Sequence, residues 1–144
     1  MNQGACFFVY GTLKRGECRE SCWPASPLRV QAAWIRGSLV DLGSYPGLVP
    51  GDDWVRGELW QIDATDEAQT LEVLDAIEGY RPSGTRNLYE RQQVDVFDQP
   101  HAAEPCAQAY TYWLSDRAAK LAARPIQADA DQAFVEWFGS PETS

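Results

Sequence analysis

Before its C-terminal tail, this sequence carries a single long helical signal, and that scarcity constrains the fold more than any other feature. The segment "TDEAQTLEVLDAIEG" runs from Thr65 to Gly79. Asp63 or Thr65 can cap its start, its first turn is acidic, and Gly79 can end it. The rest of the chain breaks into short runs with strand character. Residues Ala5–Tyr10 read as a buried strand that stops abruptly at a glycine, in "FFVYGTLKRG". Val30–Gly43 reads as a strand with Gly37 as a bulge. Trp54–Ile62, Leu88–Asp98 and Cys106–Leu114 alternate as strands do. Between them, Cys18–Arg29 reads as a loop with room for one helical turn. Ser44–Asp53, with two prolines and two glycines, reads as turn chemistry, and Arg81–Asn87 as a loop. The tail, Ser115–Arg124 and Ala128–Gly139, reads as two short helices broken at Pro125. Short strands around one main helix predict an α+β fold: a small curled mixed β-sheet or barrel with that helix packed on it. Residues 1–144 read as one domain.

Several function classes are disfavoured by composition. The net charge of −9 argues against a nucleic-acid partner, because phosphate contacts need clustered Lys and Arg. The N-terminal apolar run is six residues and lacks a basic flank, so no signal peptide is expected. No run approaches the length of a membrane span. Cys6, Cys18, Cys22 and Cys106 do not form a disulfide framework, which fits reduced thiols and a cytoplasmic location. Cys18, Cys22 and the sole histidine, His101, lack an evident fourth ligand for zinc, so no metal is expected. The six Trp, six Tyr and five Phe suit a sheet-rich fold or a pocket with aromatic walls.

The main helix carries a carboxylate where a core residue belongs. On a wheel of 100° per residue with Leu71 at zero, Leu74 falls at about −60° and Glu78 at about −20°, between the two leucines. Glu78 also lies in the last turn, where the helix dipole disfavours an anion. Desolvation and dipole both favour the neutral form, so its pKa should rise. A carboxyl group tuned in this way suits general acid–base chemistry. The structural alternative is a Glu that leaves the helix end to pair with Arg86 or Arg91. Asp75 and Glu67 are weaker competitors on the same wheel.

Two landmarks then stand together: "YGTLKRG" after the first strand and "LDAIEGY" at the end of the helix. Together they resemble the γ-glutamylcyclotransferase-like superfamily, and "VYGTLKRG" resembles its γ-glutamylamine (AIG2-like) branch. The family's Tyr-Gly-(Ser/Thr)-Leu turn is matched by Tyr10, Gly11, Thr12 and Leu13. Its Leu-Asp-x-x-Glu helix end is matched by Leu74, Asp75 and Glu78. A Pro-Gly turn and a Val-x-Gly-Glu-Leu strand are matched by Pro46-Gly47 and Val55–Leu59. A Tyr-x-Arg is matched by Tyr89 and Arg91, which follow Glu78 later than is typical because Arg81–Asn87 lengthens the loop.

The resemblance implies a cofactor-independent enzyme. A γ-glutamyl amine or peptide would cyclise to 5-oxoproline and release a free amine, with Glu78 as general acid and base. The turn at Tyr10, Gly11, Thr12 and Leu13 would present backbone N–H groups to the substrate's negative oxygens. Gly11 would allow close approach without a Cβ. Tyr10 either lines the pocket, through ring or hydroxyl, or belongs to the core. Tyr89 divides in the same way, and of Tyr110 and Tyr112 one is expected to face the cavity, with Tyr112 the choice. Arg91 is expected to be a structural partner. The expected partner is thus a small γ-glutamyl molecule, with no nucleic acid and no membrane. A non-catalytic small-molecule-binding module of the same fold is the alternative.

Overall fold

The computed structural model describes residues 5–17, 19–42, 46–80, 89–115, 124–126 and 134–137. Among these residues, six strands and one α-helix follow in the order β1 (Ala5–Val9), β2 (Arg29–Asp41), β3 (Pro46–Ile62), α1 (Glu67–Glu78), β4 (Tyr89–Val96), β5 (Ala107–Leu114) and β6 (Arg124–Ile126). They form one sheet in the spatial order β4-β5-β1-β3-β2-β6. The sheet is mixed, as expected: β1 pairs parallel with β5, and the other ladders are antiparallel. The barrel reading is not met, because the sheet curls without closing. Its two sides touch at an isolated bridge, where Trp34 and Phe97 exchange backbone hydrogen bonds of 2.8 and 2.9 Å.

Two further expectations are corrected. The stretch Ser44–Asp53 is mostly not a turn. From Pro46 onward it continues the β2–β3 ladder, with Asp41 opposite Pro46 and Ser38 opposite Val49. The register slips at Gly37/Ser38, so the Pro50–Asp52 segment has no ladder partners. Proline is tolerated in these places, at the start of a strand and at a bulge. In the tail, Arg124–Ile126 is not the end and aftermath of a helix but a strand on the outer edge of β2. Val135 is likewise extended, and makes a parallel bridge with Val55. Ser115, Phe134, Glu136 and Trp137 are not helical either; the rest of both expected tail helices lies outside the described residues, as does the Arg81–Asn87 loop. The single helical turn expected after Cys18 is present as a 3₁₀ turn at Glu20–Cys22.

Each face of the curled sheet has its own core, and β1 feeds both. Phe8 and Tyr10 pack into one core with Ile35, Leu39, Val55 and Val135. Phe7 and Val9 point the other way, into a layer with Trp60, Ile62 and Leu74 that α1 covers. This two-sided burial explains why β1 reads as a continuous apolar run rather than an alternating one. Gly57, on β3, lets β1 pass close by: a Cβ there would sit 2.4 Å from the Val9 carbonyl oxygen.

The helix begins and ends where its sequence signals place it. Asp63 accepts from the Thr65 N–H at 2.9 Å and opens a 3₁₀ turn, Ala64–Asp66, that leads into α1. Gly79 ends the helix in the left-handed region at φ 70°, and the Tyr80 N–H reaches back to the Asp75 carbonyl. A Cβ at Gly79 meets nothing within 4 Å, so the penalty for alanine there is conformational alone. Gly79→Ala should therefore cost about 1 kcal/mol in denaturant unfolding. Because Glu78 precedes it directly, activity should fall as well. Among the described residues, no helix is long and apolar enough to cross a membrane.

Candidate active site

The end of α1, the turn after β1 and the near ends of β3, β4 and β5 surround a cavity of about 170 Å³. Its walls include all seven residues expected to carry the catalysis or bind the substrate: Tyr10, Gly11, Thr12, Leu13, Glu78, Tyr89 and Tyr112. Phe8, Val9, Pro46, Ile77 and Arg19 complete them.

Glu78 enters the cavity from the last turn of α1. Leu74, one turn earlier, is fully buried under the sheet, so the helix is held by its apolar stripe with Glu78 beside it. Burial pushes the Glu78 carboxyl up to about 7, against a partial lowering by the Arg19 charge. Both protonation states are then well populated near neutral pH. The alternative of an ion pair to Arg91 is not met. Arg91 donates instead to Asp75 at 2.6 Å, and Arg86 lies outside the described residues.

The Tyr10–Leu13 turn is held from several sides. The Lys14 N–H returns to the Gly11 carbonyl at 3.1 Å, and the Arg19 N–H donates to the Thr12 carbonyl at 2.8 Å. The Trp23 indole N–H donates to the Leu13 carbonyl at 3.0 Å, and the same indole stacks on Trp60 with ring centroids 4.2 Å apart. These bonds occupy the carbonyls of Gly11, Thr12 and Leu13. Among the described residues, none takes up the N–H groups of Gly11, Thr12 or Leu13. The turn therefore leaves donors for a negative group. Gly11 is needed for space. A Cβ there would lie 2.9 Å from Pro46 Cγ and 3.0 Å from Cδ, closer than a packed ring can yield cheaply. Gly11→Val should shift the turn against Pro46, destabilise the protein by about 1–3 kcal/mol and weaken substrate binding. Unchanged stability and KM would mean that the Pro46 contact imposes nothing.

The three tyrosines wall the cavity as rings, because their hydroxyl protons are already committed. Tyr10 donates to the Tyr112 carbonyl at 2.5 Å and Tyr89 to the Pro46 carbonyl at 2.6 Å. Tyr112 donates to Asp75 Oδ1 at 2.6 Å. Burial first, and for Tyr112 also the Asp75 carboxylate, holds the Tyr10 and Tyr112 phenols well above their ordinary range. Tyr10 answers both of its sequence readings: it lies in the core and lines the cavity. Asp75 receives Tyr112 on one oxygen and Arg91 on the other. The acid of the helix end thus fixes a wall of the cavity while Glu78 faces into it. Tyr110 lies outside the cavity and bonds Glu67 at 2.9 Å. Sequence reasoning did not find Arg19 or the Pro46 carbonyl, since neither carries a local signal.

A family model described as gamma-glutamyl cyclotransferase, AIG2-like, matches residues 7–132. A Niallia circulans protein named gamma-L-glutamyl-butirosin B gamma-glutamyl cyclotransferase is 40% identical over 91 residues, which are 62% of this chain and 56% of that protein. The match therefore spans little more than half the length of that relative. A putative gamma-glutamylcyclotransferase of Vibrio cholerae is 38% identical over 95 residues, covering 60% of this chain and 82% of that one. The crystal structure of an AIG2-like protein from Mus musculus superposes with a TM-score of 0.60 at 25% identity, covering 89% of this chain and 90% of that chain.

Proposed function

The chain belongs to the gamma-glutamyl cyclotransferase, AIG2-like family, and from that premise we propose that it converts a γ-glutamyl amine or peptide into 5-oxoproline and a free amine. The observation that carries the reading is a carboxyl group pushed up to about 7 by burial, in the same small cavity as the Tyr10–Leu13 turn, whose N–H groups no described residue takes up.

The reaction is an internal aminolysis. The substrate's α-nitrogen attacks its own γ-carbonyl carbon, a C–N bond forms, and the bond to the leaving nitrogen breaks. No water is consumed. The ionised form of Glu78 takes a proton from the α-ammonium, which frees the nucleophile. The protonated form then returns that proton to the departing nitrogen, and the second proton shed by the attacking nitrogen as the lactam forms follows it, so the amine leaves as an ammonium. One carboxyl can serve both steps when its pKa lies near the working pH. The N–H groups of Gly11, Thr12 and Leu13 receive negative oxygen, either the developing oxyanion or the substrate's carboxylate. The rings of Tyr10, Tyr89 and Tyr112 confine the glutamyl chain to a folded shape. Since nucleophile and electrophile belong to one molecule, holding that shape can supply much of the acceleration. No step calls for a metal or organic cofactor, and the chemistry suits a cytoplasmic protein acting on small molecules.

The direct test is incubation with a panel of γ-glutamyl amines and dipeptides, with 5-oxoproline detected by mass spectrometry. Release of 5-oxoproline together with one equivalent of amine is expected. Tight binding without release across the panel would favour a ligand-binding module of the same fold.

A further inference from the structure

The cavity wall carries one described cation, Arg19, and the proposed chemistry leaves it without a task. We propose that Arg19 binds a carboxylate of the substrate and is thereby a recognition residue of this site. This rests on the reading of the site as one for γ-glutamyl compounds.

Three observations lead there. The first is position. Arg19 is far from the main helix in sequence, yet its backbone N–H is tied to the Thr12 carbonyl at 2.8 Å. Its backbone is therefore fixed by the same turn that offers the open N–H groups, and the next residues, Glu20–Cys22, form a 3₁₀ turn. The second is availability. Arg19 is exposed, and among the described residues its guanidinium has no hydrogen-bonded or ion-paired partner, unlike Arg56 and Arg91. A guanidinium left open at a cavity wall can meet a carboxylate with two parallel N–H donors. The third is charge matching. Among the described lining residues, Glu78 is the one acid and Arg19 the one base. The head of every γ-glutamyl compound is a zwitterion, with an ammonium that must face the base and a carboxylate that must face something else. Arg19 also acts on Glu78 from where it stands, partly offsetting the effect of burial on its pKa.

Two carboxylates could be the partner: the glutamyl α-carboxylate, present in every substrate, or a carboxylate on the leaving amine, present in γ-glutamyl amino acids. The test uses γ-glutamyl-alanine and γ-glutamyl-alaninamide, which differ only in the second. Kinetics of wild type, Arg19→Gln and Arg19→Lys are compared on both. Loss of a charge-assisted hydrogen bond to carboxylate predicts a roughly ten- to hundredfold rise in KM for Arg19→Gln, partly rescued in Arg19→Lys. A rise on both compounds assigns Arg19 to the α-carboxylate. A rise on the acid alone, so that the acid-to-amide ratio collapses, assigns it to the leaving group. A second readout is the acid limb of kcat/KM, which should move to higher pH in Arg19→Gln as Glu78 loses the nearby positive charge. KM values unchanged on both compounds would overturn the proposal. Should wild type turn over neither compound, the reading of the reaction fails by itself. Calorimetric binding of the same two compounds to wild type and Arg19→Gln then decides about Arg19, with equal affinities overturning it.

Discussion

Glu78→Gln should fold and bind yet lose nearly all 5-oxoproline formation, a drop of ~10²–10⁴ in kcat, the usual worth of a positioned proton carrier. Glutamine keeps the side chain's shape in the cavity but can neither take nor return a proton. KM should change little, which separates this variant from Gly11→Val and Arg19→Gln. The same substitution makes a second, independent forecast about stability. The Glu78 carboxyl titrates near 7 in the folded protein and at 4.5 when free of it. Between those values the folded state holds more protons than the unfolded chain, so stability falls as pH rises through this window. Below about pH 4.5 there is no cost; above 7 it is complete, up to about 3 kcal/mol for a gap of this size. Glu78→Gln removes the ionisation and with it the cost. Denaturant unfolding should find the variant at least as stable as wild type at pH 8, with its advantage shrinking at pH 5. A variant clearly less stable at pH 8 would mean that Glu78 serves the fold.

What the sequence disclosed and what it withheld divide along a physical line. Glu78 was legible because the helix period, the apolar stripe of Leu71 and Leu74 and the terminal Gly79 are all local. The turn was legible because a buried run ending at Gly11 is also local. The use of the tyrosine hydroxyls was not. Tyr10 bonds a carbonyl 102 residues away and Tyr89 one 43 residues away, and no nearby pattern encodes either partner. Arg19 was hidden for the same reason, since the Thr12 carbonyl sets its place. The tail misled more strongly. Its alanines and acidic residues favour helix locally, but Arg124–Ile126 completes hydrogen bonds along the open edge of β2, and Val135 does so beside β3. Satisfying exposed strand edges outweighed propensity there. The prolines of Pro46–Pro50 misled in the opposite direction, because strand ends and bulges accept them.

Lys14→Met should be the most damaging change outside the chemistry. Lys14 sits directly after the Tyr10–Leu13 turn and is 4% exposed, an unusual setting for an ammonium. Burial draws its pKa down, and the nearby Glu136, Glu17 and Glu58 draw it back up. Its Nζ donates to the Trp137 carbonyl at 2.6 Å and lies 3.8 Å from Glu136, which also pairs with Arg56 at 3.2 Å. The Val135 N–H and carbonyl meanwhile bond Trp54 and Arg56 across a parallel bridge. Residues 134–137 are thus anchored on β3 and grip the turn through one buried cation. Methionine fills much of the same space but leaves a carbonyl without its donor and Glu136 with one cation in place of two. Breaking a buried pair from one side costs about 3–5 kcal/mol; with Arg56 still in place, the low end is expected, read as a lower denaturant midpoint with unchanged m-value. The turn should loosen as well, so kcat should fall even where the protein remains folded. Removing both charges separates the two effects. In Lys14→Met with Glu136→Gln the stranded charge is gone, so stability should recover in part, and the double-mutant cycle should return a coupling above about 0.5 kcal/mol. Activity should recover less, because the bond from Nζ to the Trp137 carbonyl is still missing. Additive losses in the cycle would mean that Lys14 and Glu136 act independently, and that this segment does not grip the turn through their charges.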